Sequence, residues 1–206
     1  MILLNSMMLL SKKIYFVCLL ALPFLPFNVS AQKFLIPHTA MVQRAGSIGF
    51  NSFGVGYNLF GNKMGSLDLT YGYVPKSKGG KLDIFAVKFA YRPLNIKLKE
   101  FGTLHLINPG VFVSHHPGSK FHTTLDRDQY PAGYYWWSSA VRFHLTASTE
   151  LRINTPKSLS STGIEQLALY CEFNTNELYA VSWFINREHF PLRDIFKLGF
   201  GIKAYF

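Results

Sequence analysis

The sequence predicts an all-β chain, a closed antiparallel transmembrane β-barrel of about ten strands, or eight if its weakest segments are not strands. Three observations predict it. Large apolar and small or polar residues alternate at period two through most of the chain. The chain is rich in aromatics, with 19 Phe, 11 Tyr and 3 Trp, and these residues favour strands and membrane interfaces. Only 16% of residues are charged, against about a quarter in a soluble domain.

The first segment, residues 1–31, reads as a cleaved signal peptide. Lys12 and Lys13 form a basic start, and the run from Ile14 to Phe27 is apolar but broken by Pro23 and Pro26. Val29-Ser30-Ala31 fits the small-x-small cleavage rule, leaving Gln32 as the mature N-terminus. Residues 32–206 then form one domain, with no linker and no block of like charge. No later stretch reaches the ~18 apolar residues a transmembrane helix needs. Cys18 lies in the leader without the small residues of a lipoprotein site. Cys171 stands alone in the mature chain, so no internal disulfide can form. Losing Lys12 and Lys13 leaves 19 basic and 11 acidic side chains, a net charge of +8. That balance suits lipopolysaccharide phosphates or other anions of the envelope. It is equally compatible with lysines scattered over loops.

The strands follow in order. Residues 33–43 are apolar, with Pro37, and give a first strand. In the second, Phe53, Val55, Tyr57 and Leu59 oppose Gly54, Gly56 and Asn58, and Gly61-Asn62-Lys63 turns the chain. In the third, Leu67, Leu69, Tyr71 and Tyr73 oppose Ser66, Asp68, Thr70 and Gly72. From Asp83 to Arg92, Phe85, Val87, Phe89 and Tyr91 oppose Ala86, Lys88, Ala90 and Arg92. Residues 102–115 carry Pro109-Gly110, which suggests a bulge or a break. Residues 135–145, 149–155, 167–173 and 179–185 give four more short strands. The last alternates Leu198, Phe200, Ile202, Ala204 and Phe206 with Lys197, Gly199, Gly201, Lys203 and Tyr205.

Connection lengths orient the barrel. Short connections fall near 61–65, 93–96, 147–149 and 174–177, and longer ones near 75–81, 116–133, 156–162 and 187–194. Outer-membrane barrels turn tightly on the periplasmic side and carry longer loops outside, which places Phe206 at the periplasmic end. The small face favours a membrane barrel over a soluble sandwich. A sandwich would show water a face of Lys, Glu and Thr, whereas here that face is largely Gly, Ala and Ser, as in a crowded lumen.

The alternating stretch from Leu198 to the terminal Phe206 resembles the signature by which the outer-membrane assembly machinery recognises its substrates. The mature chain also resembles uncharacterised outer-membrane β-barrel proteins of the Bacteroidetes type. The segments carrying this are Gly72-Tyr73-Val74-Pro75-Lys76-Ser77, Tyr130-Pro131-Ala132-Gly133-Tyr134-Tyr135-Trp136 and Asp194-Ile195-Phe196-Lys197-Leu198-Gly199. The resemblance implies a barrel in the bacterial outer membrane, bounded by its lipid and lipopolysaccharide, and brings no activity with it.

Three constellations could carry function. Strand parity points Asp68, Lys88, Arg92, Arg142, Glu172, Lys197 and Lys203 into the lumen, with His144. Such charges must pair to be tolerated, and they read either as a structural plug or as the lining of a gated, anion-leaning passage. Ser114, His115 and His116, followed by His122, Asp126, Arg127 and Asp128, are the raw materials of acyl transfer. Barrels of this size include lipid A deacylases and palmitoyltransferases. The deacylase His-x-Ser pairing is absent, however, and His144-Leu145-Thr146 is its nearest form. Adjacent Ser114 and His115 also diverge on a strand, so these residues are weak catalytic candidates, and His115 and His116 are poor metal ligands. Tyr134, Tyr135, Trp136 and Trp137 read as an aromatic girdle at headgroup level, or as a carbohydrate platform. No cofactor motif or phosphate-binding glycine loop is present, and nothing favours nucleic acid.

The reading is therefore a small barrel with a structural, adhesive or limited solute-passage role, with a lipid A-modifying hydrolase or acyltransferase as the alternative.

Overall fold

The computed structural model describes residues 35–61, 63–118, 121, 138–156, 161–189 and 191–206. The expected signal peptide and the aromatic run Tyr134 to Trp137 lie outside the described residues, as do His122, Asp126, Arg127 and Asp128. Residues 37–206 form one compact unit. Its elements are β1 (Thr39–Ala45), β2 (Asn51–Leu59), β3 (Gly65–Val74), β4 (Leu82–Tyr91), β5 (Asn95–Lys97), β6 (Gly102–His115), β7 (Val141–Asn154), β8 (Gln166–Asn176), α1 (Glu177–Ile185) and β9 (Lys197–Tyr205).

The sheet is antiparallel and closed. Its order is β4-β3-β2-β1-β9-β8-β7-β6, and β4 pairs back onto β6 to complete an eight-strand ring. The short β5 is extra, pairing Asn95 to Lys97 with His105 to Thr103 of β6. β4 and β5 thus lie one after the other along the same long strand. Pro93 sits at the break, where a residue without N–H cannot extend a ladder. On β6 the ladder to β4 stops at Gly110, next to Pro109, and a register shift follows between His105 and Asn108. This is the irregularity that Pro109-Gly110 suggested.

Eight ring strands replace the expected ten. Residues 147–149 are not a turn: β7 runs unbroken to Asn154, so the expected strands at 135–145 and 149–155 are one. Within β7, Ala147 and Thr149 face outward between Leu145 and Leu151, and their weak apolarity imitates a connection. Residues 179–185 are helix, not strand, and no short turn falls at 174–177. The Asn176 side chain caps α1 by accepting from the Tyr179 N–H at 2.9 Å, and Glu177 in the first turn complements the helix dipole. The first strand starts at Thr39, after Pro37.

The connections sort onto two ends. Residues 60–61, 63–64, 98–101, 155–156 and 161–165 lie at the end that also holds the start of β1 and the finish of β9, called the termini end. Residues 46–50, 75–81, 116–118, 138–140, 177–189 and 191–196 lie at the other, the loop end. Of the stretch 156–162, expected among the outer loops, the described residues 156, 161 and 162 instead fall at the termini end.

Burial is inverted relative to a soluble domain. Among the described residues, the interior holds Thr39, Gln43, Asp68, Lys88, Glu150, Glu172 and Lys203. Val42, Phe53, Val55, Leu69, Phe85, Val87, Leu145, Leu169 and Ile202 are exposed around the outside. The buried apolar cluster is small, comprising Ile48, Ala86 and Phe112. Gly72 lets it form: a Cβ there would lie 1.6 Å from the Ile48 carbonyl oxygen, so only glycine admits the β1–β2 turn into the loop end of the lumen.

Candidate functional site

The lumen is built from inward positions on all eight ring strands. Two ion pairs cross it. Lys88 of β4 donates to Glu172 of β8 at 2.6 Å, and Lys203 of β9 donates to Asp68 of β3 at 2.8 Å. Neither pair joins neighbouring strands, so each is a strut across the ring. Between them lies Tyr170, with the Lys88 and Lys203 ammonium groups 5.7 and 5.3 Å from its ring centre. Its hydroxyl donates to the Gln43 side chain at 2.9 Å. Two lysines beside one aromatic ring gain cation–π attraction in addition to their carboxylates.

Nearer the termini end a second cluster fills the lumen. Arg152 Nε donates to Glu150 at 2.5 Å, and Tyr205 donates to the same carboxylate oxygen at 2.7 Å. The Arg152 guanidinium lies 4.1 Å from the Tyr205 ring centre. Arg92 closes this end. Its Nη2 donates to the Lys63 carbonyl at 2.7 Å, and to the Gly65 carbonyl and Asn58 side chain at longer range. It satisfies the β2–β3 turn through two backbone carbonyls and one side-chain amide. Together these side chains leave a cavity of about 10 Å³ between Asp68, Lys88, Glu150, Tyr170, Glu172 and Lys203. That is room for about one water molecule.

Toward the loop end, the Phe112 ring stacks on His144 at 4.0 Å. Ser114 and His144 Nε2 share a hydrogen bond of 3.0 Å, across β6 and β7. The pair has the chemistry of a nucleophile and base, but Ser114 is 0% exposed, so no substrate reaches its hydroxyl. Among the described residues His144 Nδ1 is buried without a partner, so none of their acids orients the ring as a triad requires. His115 points to the opposite, exposed face of β6. His116 Nδ1 donates to the Ala140 carbonyl at 3.2 Å. These residues therefore do not assemble a catalytic centre. Among the described residues, no group of three His, Cys, Asp or Glu could hold a metal ion.

Two expected lumen charges lie at the mouth instead. Arg142 pairs with Glu177 at 3.1 Å at the loop-end rim. Lys197 is exposed, with its ammonium 5.0 Å from the Tyr179 ring centre. Strand parity aims both inward, but each sits where its strand leaves the barrel, and water draws the charge out. They line an open bowl of about 500 Å³ with Lys78, His116, His144 and Tyr179. Sequence reasoning missed Glu150 and Arg152, because a connection was expected at 147–149. Continuing the β7 parity through that stretch puts both inward.

Comparison with protein-family models, with curated proteins and with solved structures finds no match to this chain.

Proposed function

We propose that this chain is a non-conducting outer-membrane β-barrel of a bacterium, with a structural or adhesive role in the envelope and its long loops outside. One observation carries the reading: a closed ring exposes an apolar belt and buries charges. Water as outer solvent would leave that belt unsatisfied, whereas lipid satisfies it, and closure leaves no unpaired strand edge in the hydrocarbon. The sizes of the connections support placing the loop end outside. The alternating strand from Leu198 to Phe206 and the resemblance to Bacteroidetes outer-membrane barrels agree with assembly by the outer-membrane machinery. Lipopolysaccharide is then the surrounding partner.

The packed lumen argues against solute passage, the other role the sequence allowed. For the lipid A-modifying reading, the candidate hydroxyl of Ser114 is fully buried. Two measurements test the proposal. Fractionation with heat-modifiable migration on a gel should recover a folded barrel from the outer membrane. Planar bilayers should stay silent when the protein is added. Recovery in the soluble fraction without detergent would reject the membrane location. Steady single-channel steps would reject the sealed lumen.

A further inference from the structure

Helix α1 interrupts the smooth outer belt. Its first residue is anchored twice to β7: Glu177 Oε1 accepts from Arg142 at 3.1 Å, and Oε2 accepts from the Phe143 N–H at 2.9 Å. The β7–β8 ladder ends at His144 and Asn176, so the carboxylate stands in for the next backbone rung. Beyond this anchor the helix encloses, with the outer faces of β6 and β7, a cleft of about 470 Å³. Val111, Val113, Phe143 and Leu145 form its barrel wall, with Ala180 on the helix side. Its surface is almost entirely carbon.

The helix itself buries no residue, and Leu178, Val181, Phe184 and Ile185 are exposed. A helix of this composition standing in water would be poorly matched to its solvent. Set in lipid beside the belt, those apolar side chains meet hydrocarbon instead. Arg187, just past its end, has its guanidinium 4.4 Å from the Phe184 ring centre, where an apolar surface gives way to a cation. The barrel wall of the cleft is part of the same apolar belt that carries the proposed function, so the cleft opens onto whatever surrounds that belt.

We infer that this cleft is a lipid site: one fatty-acyl chain of an outer-leaflet lipid lies between α1 and the β6–β7 wall. The inference rests on the outer-membrane reading and makes it more specific. A dry apolar cavity of this size gains little from water, and it takes a hydrocarbon well. Ala180 is the small residue that keeps the cleft open, and Glu177 fixes the height of the helix above the wall.

The experiment is native mass spectrometry of the full chain, extracted from membranes and exchanged through mild detergent. The wild type should retain one lipid per barrel. Ala180→Trp, whose indole fills the cleft, should cut that retention at least tenfold with heat-modifiable migration unchanged. Val181→Trp should retain the lipid. A second measurement covers the case in which Ala180→Trp does not fold. A Phe143→Trp probe, in a chain whose Trp136, Trp137 and Trp183 are each replaced by Phe, is reconstituted in phosphatidylethanolamine vesicles with brominated chains and then extracted. Quenching should persist at the cleft and vanish for a Phe53→Trp probe on the far side of the ring. A wild type without retained lipid, equal retention in Ala180→Trp, quenching lost equally at both probes, or a second copy of the chain occupying the cleft would each overturn the inference. Absence of the protein from the membrane fraction would instead reject the barrel's location.

Discussion

Lys88 and Glu172 meet at 2.6 Å across the lumen, from strands that are not neighbours in the ring. Both side chains are almost fully buried, so neither has water to replace its partner. The pair ties β4 to β8 across the lumen, as the Lys203–Asp68 pair ties β9 to β3. Removing one partner alone leaves a buried charge. Lys88→Ala should therefore destabilise the fold by roughly 3–5 kcal/mol, whereas the double change Lys88→Met with Glu172→Leu should cost clearly less. The midpoint of heat-modifiable migration, or of urea unfolding in detergent, measures both. Equal midpoints for wild type and Lys88→Ala would show that the strut carries no load.

Tyr170 packs its ring against the backbone of Gly201 on β9, which has no side chain to obstruct it. A Cβ there would fall 2.4 Å from the Tyr170 ring. Gly201→Ala should overpack the lumen, costing about 1–3 kcal/mol, and Tyr170→Ala in the same chain should recover part of that loss. Thermal unfolding of the four combinations reads the coupling. Additive losses would mean that the two residues do not contact.

Val87 sits near the middle of β4 on the outer face and is half exposed. If that face meets lipid, Val87→Arg should cost about 2–4 kcal/mol, because a charge is then buried in hydrocarbon. If it meets water, the change is nearly neutral. Folding yield into vesicles under a urea series distinguishes the two, and an unchanged midpoint would count against the belt.

Ser114 and His144 hold β6 to β7 inside the loop end of the lumen, and the geometry gives them a packing role. Ser114→Ala should cost about 1–3 kcal/mol by leaving the imidazole nitrogen unpaired. It should leave lipid A acylation unchanged in cells expressing the variant. A mass spectrum of lipid A that shifts with Ser114→Ala, at equal protein level, would restore the enzymatic alternative.

Much of the barrel was legible because a strand's side chains alternate strictly. Once Leu69 and Tyr71 were assigned outward, Asp68 and Thr70 had to face inward, and the same parity placed Lys88, Arg92, Glu172 and Lys203. The helix mistaken for a strand has a local cause. Residues 179–185 also alternate, with Val181 and Trp183 opposed by Ala180 and Ser182. Nothing in that pattern separates a short strand from an apolar helix. The local signal that does is Asn176 followed by Glu177, a cap and an acidic first turn, which outweighs alternation over so few residues.

Alone, the sequence determined which face of each strand is apolar and hence an all-β chain with small and charged residues on the shared inner side. Those are local properties of a period-two backbone. The tertiary structure decided the number of strands, which charge meets which, and how little space remains between them. These depend on ring closure: only when β4 returns to β6 do Lys88 and Glu172, separated by long stretches of chain, come within hydrogen-bond distance.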